Sequence, residues 1–240
     1  MALNSIEFSA ENNQYTGTID VQTQGTVEQL ENAAKLVIAR KIYGETGNGD
    51  IIFEKDLTEV ADLDNLYKDM SVRPNVKYTY MATIYNSSSV VIEFGNTSAE
   101  AWIDGIAIGD FDTQYLAPLS CKSDYARNTQ VNYVTPLAAR TPYRVTNSAM
   151  NYTTGQSSGL FLRVDENNNL VKEDNSSYTR EVVNFLSNGE NKILKTTDGD
   201  MWYVSIDGNV SVDFDDYHVG YRIINFDWTE IGDVPLRKQV

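Results

Sequence analysis

The sequence predicts a mainly β protein built from two domains, and three observations support this prediction. Aromatic residues make up 11% of the chain, and fifteen of them are tyrosines. Together with frequent valine, isoleucine and threonine, they favour pleated, half-buried strands. Several segments also alternate apolar and polar residues, which is the period of a strand with one buried face. A chain of 240 residues that is 41% hydrophobic is long enough to bury two modest cores.

The N-terminal segments predict hairpins. Residues 1–24 alternate apolar and polar side chains around an Asn-Asn pair, as an arm or a hairpin would. A short helical turn is expected at Thr26 to Ala34. The clearest hairpin joins Lys35–Ile42 to Asp50–Leu57 across the polar turn GETGNGD.

A further hairpin is predicted from Val76–Tyr85 (VKYTYMATIY) and Ser89–Phe94. The segment YKDMSVRPNVKYTYMA resembles the turn and penultimate strand of a fibronectin type III module, through Tyr67, Asp69, Val72, Pro74, Asn75, Tyr78, Tyr80 and Ala82. This resemblance implies a β-sandwich over residues 25–105, in which the Tyr78 hydroxyl bonds the backbone upstream as a tyrosine corner. The early core tryptophan of such modules is missing here, because the first tryptophan is Trp102.

The composition changes near Trp102, and a second domain is predicted over residues 106–240. This domain contains the one predicted helix, over residues 177–188. Asn or Ser residues can cap the start of this helix, its apolar residues fall on one side, and Gly189 ends it.

The second domain is similar to siphophage tail proteins of the distal-tail and baseplate-hub type. NYTTG, a helix ending in FLSNG, KILKTTDGDMWYVSIDGN and a last strand with FDWTEIGD occur in that order. The anchors of the resemblance are Asn151, Tyr152, Phe185, Leu186, Gly189, Lys192, Leu194, Gly199, Trp202, Val204, Trp228, Glu230 and Gly232. Three of them also fit plain structural roles, Gly199 in a turn and Trp202 and Trp228 in a core.

The tail-protein resemblance implies a split β-barrel with a packed helix over residues 106–240. It implies a ring homo-oligomer, six copies in the ring, and other tail or baseplate proteins as partners. It also implies a place in the tail of the virion, after synthesis in the cytoplasm of the bacterial host.

The charge of the chain argues against several partners. The net charge is −15 and the isoelectric point is near 4.4, and no stripe of Lys and Arg interleaved with aromatics is evident. Such a chain repels phosphate backbones, so sequence-specific nucleic acid binding and anionic membranes are not expected. The segment Met1 to Ala10 lacks a signal peptide pattern and no long apolar run follows, so we expect a soluble compartment.

The sequence predicts no catalytic, cofactor or metal site. Cys121 is the single cysteine and His218 the single histidine, which excludes a disulfide framework and multi-histidine metal sites. Nucleotide-binding glycine loops and nucleophile elbows are absent. The acidic cluster of Asp213, Asp215 and Asp216 beside His218 fits a solvated turn. We therefore do not expect an enzyme.

Two functions remain after these exclusions. The first is a structural protein that self-assembles, with its interface in the arm before Gln24 or in the proline-rich stretch Leu116 to Arg144. The alternative is a carbohydrate-binding module of a host-recognition device, in which Trp102, Trp202 and Trp228 would stack on sugar rings. Exposure of these tryptophans distinguishes the two hypotheses.

Overall fold

The computed structural model describes residues 6–25, 32–137, 140–165, 169–171, 175–214 and 220–236. Strands make up 61% of the described residues and helices 7%, so the prediction of a mainly β protein is confirmed. The chain divides into two compact units. Unit 1 comprises Met1–Leu116, Lys195–Met201 and Val234–Val240, and unit 2 comprises Ala117–Leu194 and Trp202–Asp233.

Unit 1 contains two antiparallel sheets. The first has the strands β1 (Glu7–Asn13), β2 (Thr18–Gln24) and β5 (Asn65–Asp69), in the order β1-β2-β5. The second has β3 (Lys35–Ile42), β4 (Asp50–Asp56), β6 (Val76–Tyr85) and β7 (Val91–Ala101), in the order β4-β3-β6-β7. A short 3-10 helix, Val60–Leu63, precedes β5, and the short strands β8 (Ile106–Gly109) and β9 (Gln114–Ala117) follow β7.

The core of unit 1 follows from strand alternation. Along β6, Tyr78, Tyr80, Ala82 and Ile84 are buried, while the residues between them are half-exposed or exposed. Because successive side chains of a strand point to opposite faces, this pattern turns one face of the second sheet inward. Ile19, in the first sheet, belongs to the same core cluster.

The predicted hairpins of unit 1 are present. Lys35–Ile42 pairs antiparallel with Asp50–Asp56, and Val76–Tyr85 pairs with a strand that begins at Val91. Of the two forms expected for residues 1–24, the structure has the hairpin, β1 paired with β2. The helical turn expected at 26–34 falls largely on residues 26–31, which lie outside the described residues.

Unit 2 is built on four antiparallel strands with one helix. The strands are β10 (Leu119–Val134), β11 (Tyr143–Leu160), β16 (Arg222–Gly232) and β15 (Met201–Phe214), which reaches unit 2 at Trp202, and their order is β10-β11-β16-β15. The predicted helix is confirmed as α1 (Asn175–Leu186), which packs against β16. Two short strands, β12 (Arg163–Val164) and β13 (Leu170–Val171), pair before it, and β14 (Lys192–Thr196) follows it.

Candidate functional site

The largest exposed feature of unit 2 is the hairpin of β10 and β11, whose strands have 16 and 18 residues. Its root is part of the sheet, because Thr154–Gly159 pair with β10 on one side and with β16 on the other. Tyr143–Thr146 and Asn151–Thr153 pair with β10 and not with β16. We call the described residues 127–137 and 140–153 the distal arm, since the ribbon there has only two strands.

The root of the hairpin is fixed by a stack of aromatic rings. Trp228 is buried, its ring centroid lies 4.9 Å from that of Trp202, and Trp202 lies 5.0 Å from Tyr125 of β10. The indole N–H of Trp228 donates to the Ser157 hydroxyl at 3.0 Å. A side chain at Gly155 would meet the Trp228 ring at 2.6 Å, so only glycine lets the strand approach this closely.

Hydrogen bonds hold the first residues of the distal arm. The backbone N–H of Thr153 donates to Glu230 of β16 at 2.7 Å, and the Asn128 amide donates to the Thr154 hydroxyl at 2.8 Å. The Arg127 guanidinium donates to the Asn151 side chain at 2.9 Å. The arm therefore leaves the sheet in a defined direction, although none of these bonds reaches its tip.

The tip of the distal arm exposes apolar side chains on both faces. Tyr133 lies opposite Arg144 on one face and is 67% exposed. On the other face Val134, Tyr143 and Val145 are 52%, 66% and 50% exposed. Folding of one chain gains nothing from such groups, whereas burying them against another surface removes apolar area from water.

The outer edge of β10 is also open within the part of the chain that the structure describes. β10 is the first strand in the order of its sheet, so its second row of N–H and C=O groups has no strand beside it. A long edge of this kind is a template for pairing with another chain, unless charges or proline protect it. Lys122, Asp124 and Arg127 are the charged residues of this edge strand, and they lie towards its root.

Polar groups in unit 1 form a closed network. Asp69 is fully buried and accepts hydrogen bonds from the Arg40 guanidinium at 2.7 and 2.8 Å, from the Tyr80 hydroxyl at 3.0 Å and from Ser71. Burial works against the charge of Arg40, but Asp69 outweighs it and raises the pKa of the guanidinium. Burial and then the charge of Asp69 raise the pKa of Tyr80 far above its usual range, so its hydroxyl stays protonated. Asp69 and Tyr80 have no exposed surface, so a substrate cannot contact either of them.

The residues predicted as fold and assembly anchors fall into separate places. Tyr78 lies in β6, where its hydroxyl accepts a hydrogen bond from the backbone N–H of Arg73 at 3.0 Å, five residues upstream. Gly199 lies in a turn of unit 1 with φ +92°, and its carbonyl accepts from Arg73. In unit 2, Gly189 follows α1 with φ +79°, and Lys192 Nζ lies 4.2 Å from the centre of the Phe185 ring.

The structure brings Trp202 and Trp228 together in the root stack and places Tyr152, 41% exposed, at the start of the distal arm. Of the three tryptophans, only Trp102 is exposed. Residues 215–219, with most of the acidic cluster around His218, lie outside the described residues. Among those that are described, no three His, Cys, Asp or Glu side chains cluster as metal ligands would.

The sequence predicted Leu116 to Arg144 as one of two candidate interfaces but did not predict the return strand of the hairpin, Tyr143–Leu160. That strand is rich in Thr, Asn, Ser and Gly and has no apolar period, since its described side chains near the tip are exposed on both faces. The distribution of acidic residues along the sequence could have revealed this strand. No acidic residue occurs between Asp124 and Asp165, in a chain that has 34 of them.

No protein family, curated protein or solved structure matches this chain in the comparisons made with them. No helix in the described part of the chain is long and apolar enough to span a membrane.

Proposed function

We propose that this protein is a structural component of a phage tail or baseplate, which assembles into a ring of identical copies and bridges neighbouring tail proteins. It is made in the cytoplasm of the bacterial host and resides in the tail of the virion. The distal arm is the observation that carries the proposal. It is long, exposes apolar side chains on both faces and has an open strand edge.

The physical argument is that a lone two-stranded ribbon is marginal in water. Three or more strands with a buried face are needed for independent stability. Among the described residues, the distal arm has no third strand, and the side chains at its tip are exposed on both faces. A neighbouring chain supplies both, since it can cover Tyr133 or Tyr143 and can pair with the edge of β10.

A contact of this kind is heterologous, because the arm of one copy meets a different surface of the next. Heterologous contacts repeated around an axis give closed rings when the rotation closes. The tail-protein resemblance implies six copies, with the split barrels of unit 2 surrounding the tail channel. The four antiparallel strands, the packed α1 and the root stack of Trp202 and Trp228 support the split barrel.

The arrangement of unit 1 supports a fibronectin type III-like sandwich. Its strands form a three-stranded and a four-stranded antiparallel sheet, and a sandwich buries the inner faces of two such sheets. The bond from Arg73 N–H to the Tyr78 hydroxyl has the geometry of a tyrosine corner at the start of the penultimate strand. In a tail protein this module serves as a spacer or an adaptor for neighbours.

The alternative, a carbohydrate-binding module, rests on one exposed tryptophan ring. Trp102 is 45% exposed, whereas Trp202 and Trp228 are buried and cannot stack on a sugar ring. Quenching of Trp102 fluorescence by a glycan, lost in Trp102→Ala, is the result that would favour this alternative.

Shortening the arm tests the proposed function. Arg127 and Thr153 are directly opposite in the hairpin, so residues 128–152 can be replaced by a two-residue Asn-Gly turn that keeps the root. We expect the native chain to form a closed oligomer and the shortened chain to stay monomeric, with an unchanged circular dichroism spectrum. Phe214→Ser is the control. Phe214 is 68% exposed, much as Tyr133 of the arm is, but it lies on the hairpin of β15 and β16. A shortened chain that still forms the same oligomer would contradict the proposal.

A further inference from the structure

The distal arm differs in charge from the rest of the chain. From Tyr125 to Val164 the sequence contains Arg127, Arg140, Arg144 and Arg163 and no acidic residue. The remaining residues hold 15 Lys and Arg against all 34 Asp and Glu. A cationic arm on an acidic protein is complementary to other copies of the same protein.

The arginines of the arm are exposed, although Arg127, nearer the root, also donates to the Asn151 side chain. Arg127, Arg140 and Arg144 are all exposed, and none of them has an ion-pair partner among the described residues. Arg163 is different, because its guanidinium already pairs with Glu181 at 2.9 Å. Three unpaired guanidinium groups that flank exposed tyrosines form a surface suited to planar carboxylates.

A carboxylate surface of matching form lies on the outer face of the β1-β2-β5 sheet. Glu7 and Glu11 point outward from β1, since the residues between them, Phe8 and Ala10, pack against the core of unit 1. Glu11 lies directly opposite Asp20 of β2 on this outer face. Like charges in directly opposite positions destabilise a sheet.

Lys68 of β5 lies directly opposite Asp20 on this face and offsets part of the charge, but the three carboxylates of Glu7, Glu11 and Asp20 outnumber it. Asp20 accepts hydrogen bonds from the Thr18 hydroxyl and the Asn13 amide, but neither Glu11 nor Asp20 has an ion-pair partner among the described residues. Leu66 of β5, 62% exposed, adds an apolar group to the same sheet. The face therefore keeps a net negative charge and offers an apolar group against which a tyrosine can pack.

We infer that the distal arm of one copy docks on the outer face of the β1-β2-β5 sheet of a second copy. Arg127, Arg140 and Arg144 bind the carboxylates of Glu7, Glu11 and Asp20, and the tyrosines of the tip cover Leu66. This inference rests on the proposed ring assembly and identifies the surface of the neighbouring copy that the arm contacts. The acidic rest of the chain disfavours DNA as the occupant of the arm, because its field repels phosphate.

Ionic strength separates this mode of docking from a purely apolar one. Exposed charges attract each other over a Debye length of about 8 Å at physiological ionic strength, and salt shortens that length. We expect the dissociation constant of the assembly to rise by about tenfold or more between 0.05 and 0.5 M NaCl.

A charge swap is the sharpest test of the receptor. Arg127→Glu with Arg144→Glu reverses the charge at these two positions of the arm, and Glu11→Arg with Asp20→Arg reverses the charge at two positions of the outer face. We expect each pair to abolish the oligomer in light scattering, and a chain with all four substitutions to recover it. Arg127→Gln with Arg144→Gln weakens assembly without reversing charge. Arg163→Gln, which loses only contacts within the chain to Glu181 and Tyr178, leaves the oligomer intact.

The outcomes keep the two proposals apart. A native chain that is monomeric at every concentration would refute the ring function itself. If the oligomer survives both charge reversals, the inferred docking is wrong while the ring function stands. The same conclusion follows if each reversal disrupts the oligomer but the chain with all four substitutions does not recover it. A DNA fragment whose retardation in a gel depends on Arg127 and Arg144, with the oligomer unaffected by their substitution, would make nucleic acid the occupant and overturn it as well.

Discussion

Two antiparallel hairpins of this chain have opposite environments. The β1-β2 hairpin contributes Ile19 and Val21, both fully buried, and gains a third strand from β5. The distal arm of β10 and β11 gains no third strand and leaves Tyr133 and Tyr143 in water. The first hairpin is stabilised by the core of its own unit. The second has no such core around its tip, and in the proposed function another chain supplies it.

The largest expected effect concerns ion pairs in the two environments. Asp69→Ala leaves the guanidinium of Arg40 buried without its partner, and breaking a buried pair in this way costs roughly 3–5 kcal/mol. Asp124→Ala removes the partner of Lys122 on the exposed root of the arm and should cost less than about 1 kcal/mol. Urea unfolding of the two variants measures both values. Equal losses would show that the buried network does not stabilise unit 1.

The next effect is a pH dependence from Lys195, a cation buried in unit 1. Its ammonium donates to the Gly17 carbonyl at 2.5 Å, and burial lowers its pKa to about 7. Between pH 7 and the unfolded value near 10.5, the unfolded chain binds more protons than the folded one, so stability rises with pH across that window. Each pKa unit between the folded and the unfolded chain corresponds to roughly 1.4 kcal/mol in the free energy of unfolding. Relaxation of the protein around the buried lysine reduces the total, so we expect a rise of a few kcal/mol.

Lys195→Met removes this titration. We expect the variant to be more stable than the native chain at pH 7 and to lose the rise towards pH 10, in denaturant unfolding at a series of pH values. Lys68→Met is the control, because Lys68 is exposed in the same unit. A native profile that is flat from pH 7 to 10 would contradict the neutral, buried state of Lys195.

A smaller effect is expected at the root of the arm. Gly155→Ala places a methyl group 2.6 Å from both the Trp228 ring and the Asp124 carbonyl, and overpacking of this kind costs roughly 1–3 kcal/mol. Ala126→Ser, on the neighbouring strand and exposed, should be nearly neutral. Thermal unfolding monitored by tryptophan fluorescence compares them, and an unaltered midpoint for Gly155→Ala would argue against the close packing of the root.

The smallest effect on folding is expected at the tip of the arm. Tyr133→Ser with Tyr143→Ser removes two exposed rings and should change the free energy of unfolding of the monomer by less than about 0.5 kcal/mol. The same variant should weaken association, because these rings are the apolar part of the proposed interface. Sedimentation velocity measures association, and an unchanged distribution of species would exclude the tip from the interface.

Sequence patterns predicted the elements that bury one face. The strand Val76–Tyr85 was predicted at its observed bounds because its period of two matches a one-sided core. The helix was predicted at residues 177–188 and lies at Asn175–Leu186, since apolar spacing defines its buried side and Gly189 its end. Local signals of this kind come from physics that acts within a few residues.

Other features could not be predicted because they depend on the tertiary fold. β14 (KILKT) is buried at all five positions, and its two lysines could not be predicted to be fully buried. Lys192 is held by the Asn188 side chain and Lys195 by the Gly17 carbonyl, the latter 178 residues away in the chain. The long strand Tyr143–Leu160 was missed for the opposite reason, because an element whose distal half buries neither face leaves no period in the sequence.

The central claim is that the distal arm exists to join copies of this chain, and the mass of the native protein in solution tests it most directly. Size-exclusion chromatography with light scattering, followed by negative-stain imaging, should show a discrete closed ring whose mass is a whole multiple of 26.9 kDa, with six copies implied by the tail-protein resemblance. A strict monomer at high protein concentration, with no closed particles in the images, would contradict the account.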